Sequence, residues 1–278
     1  MQVYKNISEA YLGTLADVYN NPDVTSSPRG QACREKLDYV FRVMEPTSLP
    51  IVTKDPERNV LIESYTRKEV ELYNSCTNKA ADFGKASKFW LSLSNPDGTV
   101  NSAYGHLIWG RQSCGNDFET EYVEHPEWAM FDANGQKIPL LEGAGCSVKV
   151  LRPVRRTPWD WAKQSLISDK DTRQAILRFS LPEHQWKGNL DQVCTMHGNF
   201  LIRNNQLHFS VVMRSNDLTL GLVYDLAWFC SLMDRMVEEL KPTYPDLIKG
   251  HYTHTVHSLH IYERDIEKIK KMLGLKDE

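Results

Sequence analysis

Apolar residues recur at helical spacing from Ile7 to Tyr19 and from Leu226 to Leu240, where Leu226, Phe229, Cys230, Met233 and Val237 mark one face. Similar spacing predicts helices over Trp159 to Ser168, over Arg34 to Val43 before the break at Pro46, and beginning at Lys68 to Tyr73. Lys88-Phe89-Trp90-Leu91 is a further apolar patch closed by the turn Asn95-Pro96-Asp97-Gly98, and Ser26 to Gly30 reads as another turn. Strands are predicted over Gln174 to Ser180, Gly198 to Arg203 and Gln206 to Met213, the last two joined as a hairpin across Asn204-Asn205. Strands and helices alternate from Trp159 onward, which predicts a mixed α/β protein. Between about 113 and 158 the text changes to mixed Gly, Pro, acidic and aromatic residues, with a hairpin turn at Ala133-Asn134-Gly135. That stretch reads as an insertion into one domain spanning 1–278.

A chain of 278 residues with 41% hydrophobic content can bury a sizeable core. The net charge is −3 and no basic run exceeds a pair such as Arg155-Arg156, so no nucleic-acid surface is expected and a small anionic substrate stays open. No apolar stretch approaches the roughly 20 residues needed to span a bilayer. The six cysteines form no CxxC pair and the first residues, MQVYKNISEA, lack a signal-peptide layout, which predicts reduced thiols in the cytoplasm. His251, His254, His257 and His260 invite a metal reading. Tyr252 to Val256 is β-favouring, however, and a three-residue step along a strand alternates faces, so the imidazoles cannot converge and no metal is expected.

Cys194, between a loop and a strand, is either a nucleophile or a buried thiol, and a cysteine taken alone is more often buried. The segment from Met213 to Trp228 changes that balance. It carries Arg214-Ser215-Asn216-Asp217, then a glycine turn at Gly221, then Asp225 opening a helix, and Cys194 precedes Arg214 by twenty positions. This arrangement resembles the thymidylate synthase family and, within it, the phage deoxycytidylate hydroxymethylases. Lys68 to Tyr73, Val100 to Gly105, Asp171 to Gln174 and Ser258 to Tyr262 match the family in the same order, over most of the chain outside 113–158.

The resemblance implies a three-layer α/β fold in which a large mixed sheet packs against a partner subunit's in a homodimer. It also implies one-carbon transfer from 5,10-methylenetetrahydrofolate to position 5 of a pyrimidine nucleotide. Cys194 would attack carbon 6 as a thiolate, favoured by a nearby cation. Glu69 and Tyr104 would organise proton transfer, and Asp217, with Gly221 beside it, would meet the folate. Trp90 would either stack on the folate or belong to the core. Arg29, Arg214 and Ser215 of one subunit and Arg173 of the other would hold the phosphate. Gln174 stands where the family often has a second arginine. His260 and Tyr262 would bind the sugar hydroxyl.

Asp225 departs from the thymidylate synthases, which carry asparagine there, and a carboxyl sharing one proton matches the amine and ring nitrogen of cytosine. Its blander reading is a helix N-cap. The expected product is therefore 5-hydroxymethyl-dCMP, made by water capture in a cytoplasm that is the host's if the protein is a phage's. A methyl product, a ribonucleotide substrate and an inactive nucleotide-binding relative are the alternatives. The basic segment Lys268 to Leu273 and Lys276-Asp277-Glu278 follow Tyr262 where thymidylate synthases carry a closing tail, and lack of that tail would suit water entry.

Overall fold

The computed structural model describes residues 1–124, 130, 131, 134, 136–138 and 147–275. The chain divides into two compact units, Met1–Arg111 with Thr157–Glu278, and Gln112–Arg156.

The first unit opens with β1 (Gln2–Tyr4), α1 (Ile7–Asn20), β2 (Val24–Ser26) and β3 (Cys33–Val43), followed by α2 (Pro56–Asn74), α3 (Ala80–Ala86) and α4 (Phe89–Ser92). The second unit holds β4 (Ser113–Glu124), β5 (Met130–Phe131), β6 (Lys137–Ile138) and β7 (Ser147–Arg156). The first then resumes with α5 (Pro158–Ser168), β8 (Ile176–Arg178), β9 (Thr195–Arg203), β10 (Gln206–Met213), β11 (Asn216–Asp217), α6 (Val223–Leu240), β12 (Ile248–Tyr262) and α7 (Ile266–Leu273).

An 8-stranded mixed sheet organises the first unit, in the order β1-β3-β12-β10-β9-β8, with β2 on β3 and β11 on β12. β12 is its spine, parallel to β10 and antiparallel to β3. Leu207, Phe209, Val211 and Met213 of β10 alternate with half-buried residues, as do Tyr252, His254 and Val256 of β12. One face of the sheet is therefore buried and the other is not. Helix α1 packs on β3 and β12, α5 on β8 and β9, and α6 on β10 and β12. At the centre the rings of Phe200 and Phe209 stack at 4.0 Å.

Two expected helices differ. Residues 34–43 form strand β3, since the apolar positions at helical spacing also fit a strand rich in Tyr39, Val40, Phe41 and Val43, and the ladder to β12 along its length decides. The helix expected to begin near Lys68 starts instead at Pro56, with Asp55 as N-cap accepting from the backbone of Glu57 and Arg58, and 68–73 is its last part. Its buried stripe, Ile62, Thr66, Glu69 and Tyr73, is half polar, which hides its period from hydropathy.

In the second unit β4 pairs antiparallel with β7, and β5 with β6. Ala133 and Gly135 of the expected turn lie outside the described residues, as do Lys276-Asp277-Glu278. Thr157 and Pro158, read with the insertion, are the capping-box residue and first turn of α5. No helix among the described residues is long and apolar enough to cross a membrane.

Candidate active site

The β9–β10 hairpin explains the spacing of twenty. Asn204 and Asn205 at its tip have φ of 51° and 57°, the left-handed turn that a two-residue hairpin needs. The register runs in step from Arg203–Gln206 to His197–Val212, slips by one residue at a bulge, and pairs Thr195 with Met213. The next link is the Arg214 backbone N–H donating to the Cys194 carbonyl at 2.9 Å. A turn of two residues and a bulge of one thus bring positions 194 and 214 face to face.

The loop ahead of Cys194 is pinned. The Asp191 carboxylate accepts from the Ser102 backbone at 2.8 Å and from the Ser102 hydroxyl, while Asn101 donates to the Asp191 carbonyl at 3.0 Å. Arg214 donates Nε to the Val193 carbonyl and Nη2 to that of Gln192, which sets Nη2 3.5 Å from Cys194 Sγ. Burial pushes the half-buried Cys194 thiol up, and the Arg214 guanidinium opposes that rise by favouring the thiolate.

Asp225 is not a helix cap. It lies within the first turn of α6, its side chain bonded by Asn216 Nδ2 at 3.1 Å, while Asp217 caps the helical turn Leu218–Leu222 that leads into α6, its Oδ1 accepting from the backbone of Thr219 and Leu220. All the hydrogen bonds to Asp217 converge on Oδ1, so Oδ2 has no protein donor among the described residues. Burial raises the Asp225 carboxyl to about 6 against the pull of Asn216. Glu69 is raised to about 8, chiefly by burial and then by Asp225 nearby, with hydrogen bonds from Tyr65 and Tyr73 opposing.

Tyr65, Glu69 and Tyr73 share one face of α2 at steps of four, and Tyr65 donates to Glu69 at 3.2 Å. Trp90 is buried, packs on Phe83 at 4.9 Å and donates its indole N–H to the Tyr65 hydroxyl at 2.9 Å. Tyr104 accepts from the Thr195 hydroxyl at 2.9 Å, which leaves its own O–H free to donate, and it stacks on Tyr73 at 5.3 Å.

β11 pairs Asn216 with Leu259 and Asp217 with His260, so the sugar-binding candidates lie beside Asp217. His260 and Tyr262 meet edge to face at 5.2 Å. Arg29 is exposed on the turn Pro28–Gly30, close enough to Tyr262 to pull its hydroxyl pKa down against burial. Cys194, Arg214, Tyr104, Glu69, Asp225 and Asp217 therefore form one electrostatically coupled group, with Arg29, His260 and Tyr262 at its edge. Ser215 follows Arg214 and is half-buried. Arg173 and Gln174 are exposed before β8, and no hydrogen bond or ion pair joins their side chains to Arg214.

Tyr65 and Tyr73 are residues that sequence reasoning missed, although their spacing about Glu69 was in plain view. Gly221 lies against Asn216 and Asp225: a Cβ there would stand 2.6 Å from Asn216 Oδ1 and 3.4 Å from Asp225 Oδ2. The four histidines lie on β12, and no group of three or more His, Cys, Asp or Glu among the described residues is placed to hold a metal.

The thymidylate synthase family model matches residues 9–277. Deoxycytidylate 5-hydroxymethyltransferase of Enterobacteria phage T6 is 26% identical over 211 residues, covering 73% of this chain and 69% of that protein. Its phage T4 counterpart is 25% identical over the same shares. A putative thymidylate synthase of Methanocaldococcus jannaschii is 31% identical over 117 residues, 40% of this chain and 50% of that one. Thermostable thymidylate synthase A from Bacillus subtilis superposes with a TM-score of 0.60 at 17% identity, over 99% of this chain and 86% of that one. The chain belongs to the thymidylate synthase family.

Proposed function

We propose that the protein transfers a one-carbon unit from 5,10-methylenetetrahydrofolate to position 5 of dCMP and completes the reaction with water, giving 5-hydroxymethyl-dCMP. The observation that carries this reading is Asp225: a buried carboxyl with its pKa raised to about 6, set in the first turn of α6 beside Cys194 and Glu69. The phage relatives named deoxycytidylate 5-hydroxymethyltransferase support it.

Cytosine offers an amine donor and a ring-nitrogen acceptor, which a carboxyl carrying one proton satisfies with one acceptor and one donor. Cys194 Sγ adds to carbon 6, and the electron pair displaced from the ring double bond makes position 5 nucleophilic. Folate, when bound, supplies the one-carbon unit that position 5 takes up. Asp217 Oδ2, free of protein donors, suits the amide and amine N–H groups of a pterin. Glu69, held by Tyr65 and Tyr73, receives and returns protons near neutral pH, and the Tyr104 hydroxyl, which accepts from Thr195, supplies a further donor. Position 5 then gives up its proton as the carbon–nitrogen bond to the folate breaks, which leaves a methylene carbon there; water adds its hydroxyl to that carbon, the two protons released balance the departing folate amine, and release of the Cys194 sulfur restores the ring.

Arg29, Arg214 and Ser215 bind the phosphate, with Arg173, and Gln174 beside it, reaching in from a second copy of the chain. Exposure of Arg173 and Gln174, and a sheet buried on one face only, support that homodimer. The test is incubation with dCMP and methylenetetrahydrofolate and analysis of the product by mass. A Cys194-dependent hydroxymethyl product is expected. Preferential turnover of dUMP would overturn the base assignment, a methyl product with dihydrofolate would overturn the water step, and binding without tritium release from position 5 would overturn catalysis.

A further inference from the structure

We propose, resting on the reading of Asp225 as the base-selecting group, that Asn216 is the residue that makes this carboxyl selective, by reserving Oδ2 as an acceptor and confining the shared proton to Oδ1. A neutral carboxyl is by itself an ambivalent reader. With its proton on one oxygen it presents the acceptor–donor order that cytosine needs, and with the proton on the other it presents the order that suits uracil. Something must break that symmetry for one base to be preferred.

Asn216 does so from a rigid position. It lies on β11, held in register with Leu259 of β12, while Asp225 is fixed in the first turn of α6. Both side chains are buried, at 2% and 9% exposure. Asn216 Nδ2 donates to Asp225 Oδ2 at 3.1 Å, and its second contact is with Met213 Sδ, a weak acceptor. A proton on Oδ2 would confront that N–H. Oδ2 is left to accept from the cytosine amine, and Oδ1, when protonated, donates to the ring nitrogen.

The other end of the amide carries no hydrogen bond: Asn216 Oδ1 is buried and has no partner among the described residues. A buried amide oxygen left unpaired is destabilising, so the amide is not explained by satisfying itself. Gly221 supplies the space, since a Cβ there would lie 2.6 Å from Oδ1. Burial brings Asp225 to about 6 while the Asn216 N–H pulls it down, so both protonation states are accessible near neutral pH. The titratable groups that also feel Asp225 are Glu69 and Tyr73 on α2, Tyr104, Cys194, and Tyr252 on β12.

Two readouts test the proposal. Carboxyl carbon NMR of aspartate-labelled protein follows Asp225 without any nucleotide; Asn216→Leu is expected to raise its titration midpoint by about one pH unit. Equilibrium binding of dCMP and dUMP, without folate, is expected to show the wild-type preference for dCMP narrowing about tenfold in Asn216→Leu, mainly through tighter dUMP binding. Gly221→Ala, which displaces the amide without deleting it, should move both readouts the same way and serves if Asn216→Leu does not fold. Asn216→Ser, which keeps a donor, should restore part of the selectivity. An unchanged midpoint with an unchanged preference overturns the proposal, and so does an equal loss of both nucleotides, which is what a merely structural asparagine would give. A wild type without preference for dCMP would instead sink the reading of Asp225, and the NMR midpoint would still decide whether Asn216 assigns the proton.

Discussion

Asp225 and Glu69 are two buried carboxyls pushed up to about 6 and about 8, so each can hold a proton near neutrality. Asp225→Asn should turn the acceptor–donor pattern toward uracil. The swing in relative kcat/KM for dCMP against dUMP is expected at about ten- to a hundredfold, the equivalent of about 1–3 kcal/mol for a mismatched buried polar pair. An unaltered ratio would remove Asp225 from base selection. Tyr65→Phe deletes a hydrogen bond that stabilises ionised Glu69, so the Glu69-dependent limb of the pH–rate profile should move upward and kcat fall roughly tenfold. A fall in rate with an unmoved limb would mean that Tyr65 only packs. At this scale the sequence was legible where chemistry and spacing coincide, as with Cys194 and Arg214, while the tyrosines four residues either side of Glu69 went unread because aromatics at helical spacing look like core. It was silent on Asn216 acting on Asp225, because that contact joins β11 to α6 and no local spacing encodes it.

The β9–β10 hairpin sets the site at the scale of elements, since its turn and bulge fix which residue faces Cys194. Asn204 holds φ of 51° at the turn. Asn204→Ala should therefore lower stability by about 1–2 kcal/mol, the difference between a residue that tolerates the left-handed region and one that does not, while Asn204→Gly should not. Urea midpoints of the two variants measure this, and equal midpoints would contradict the turn assignment. Hairpin, α1, α5 and α6 could be read from the chain because hydropathy, turn residues and length agree there. β3 could not: its apolar positions fit two periods, and its choice is made by pairing with β12, more than 200 residues later. α2 hid for a different reason. Its inward stripe contains Thr66 and Glu69, polar groups that are buried all the same, so the helix that carries Glu69 looked the least amphipathic.

The whole molecule carries its site chemistry into its stability. Glu69 has an ordinary value of 4.5 and is raised to about 8 on folding, so the folded protein holds a proton that the unfolded chain releases between those values. Stability contributed by that proton is present at low pH and lost as pH rises through about 8. Two histidines, the buried His254 and the half-buried His251, act with the opposite sign: they are lowered to about 3 and about 4 from 6.5, so unfolding takes up protons and stability falls as pH drops below about 6.5. Above about 7 the histidines are neutral in both states and Asp225, at about 6, is ionised in both, while the cysteines begin to matter only toward 9.0. Glu69 alone should thus govern the window from about pH 7 to about pH 8, with a slope of up to about 1.4 kcal/mol per pH unit. Melting at fixed protein concentration, with and without Glu69→Gln, isolates it. Wild-type Tm is expected to drop by about 2–4 °C per kcal/mol across that window, whereas Glu69→Gln should stay level there and keep the acid-side loss due to the histidines. A wild-type Tm flat above neutrality, or a drop that survives Glu69→Gln, would mean that Glu69 is ionised already in the folded protein and cannot serve as its proton carrier.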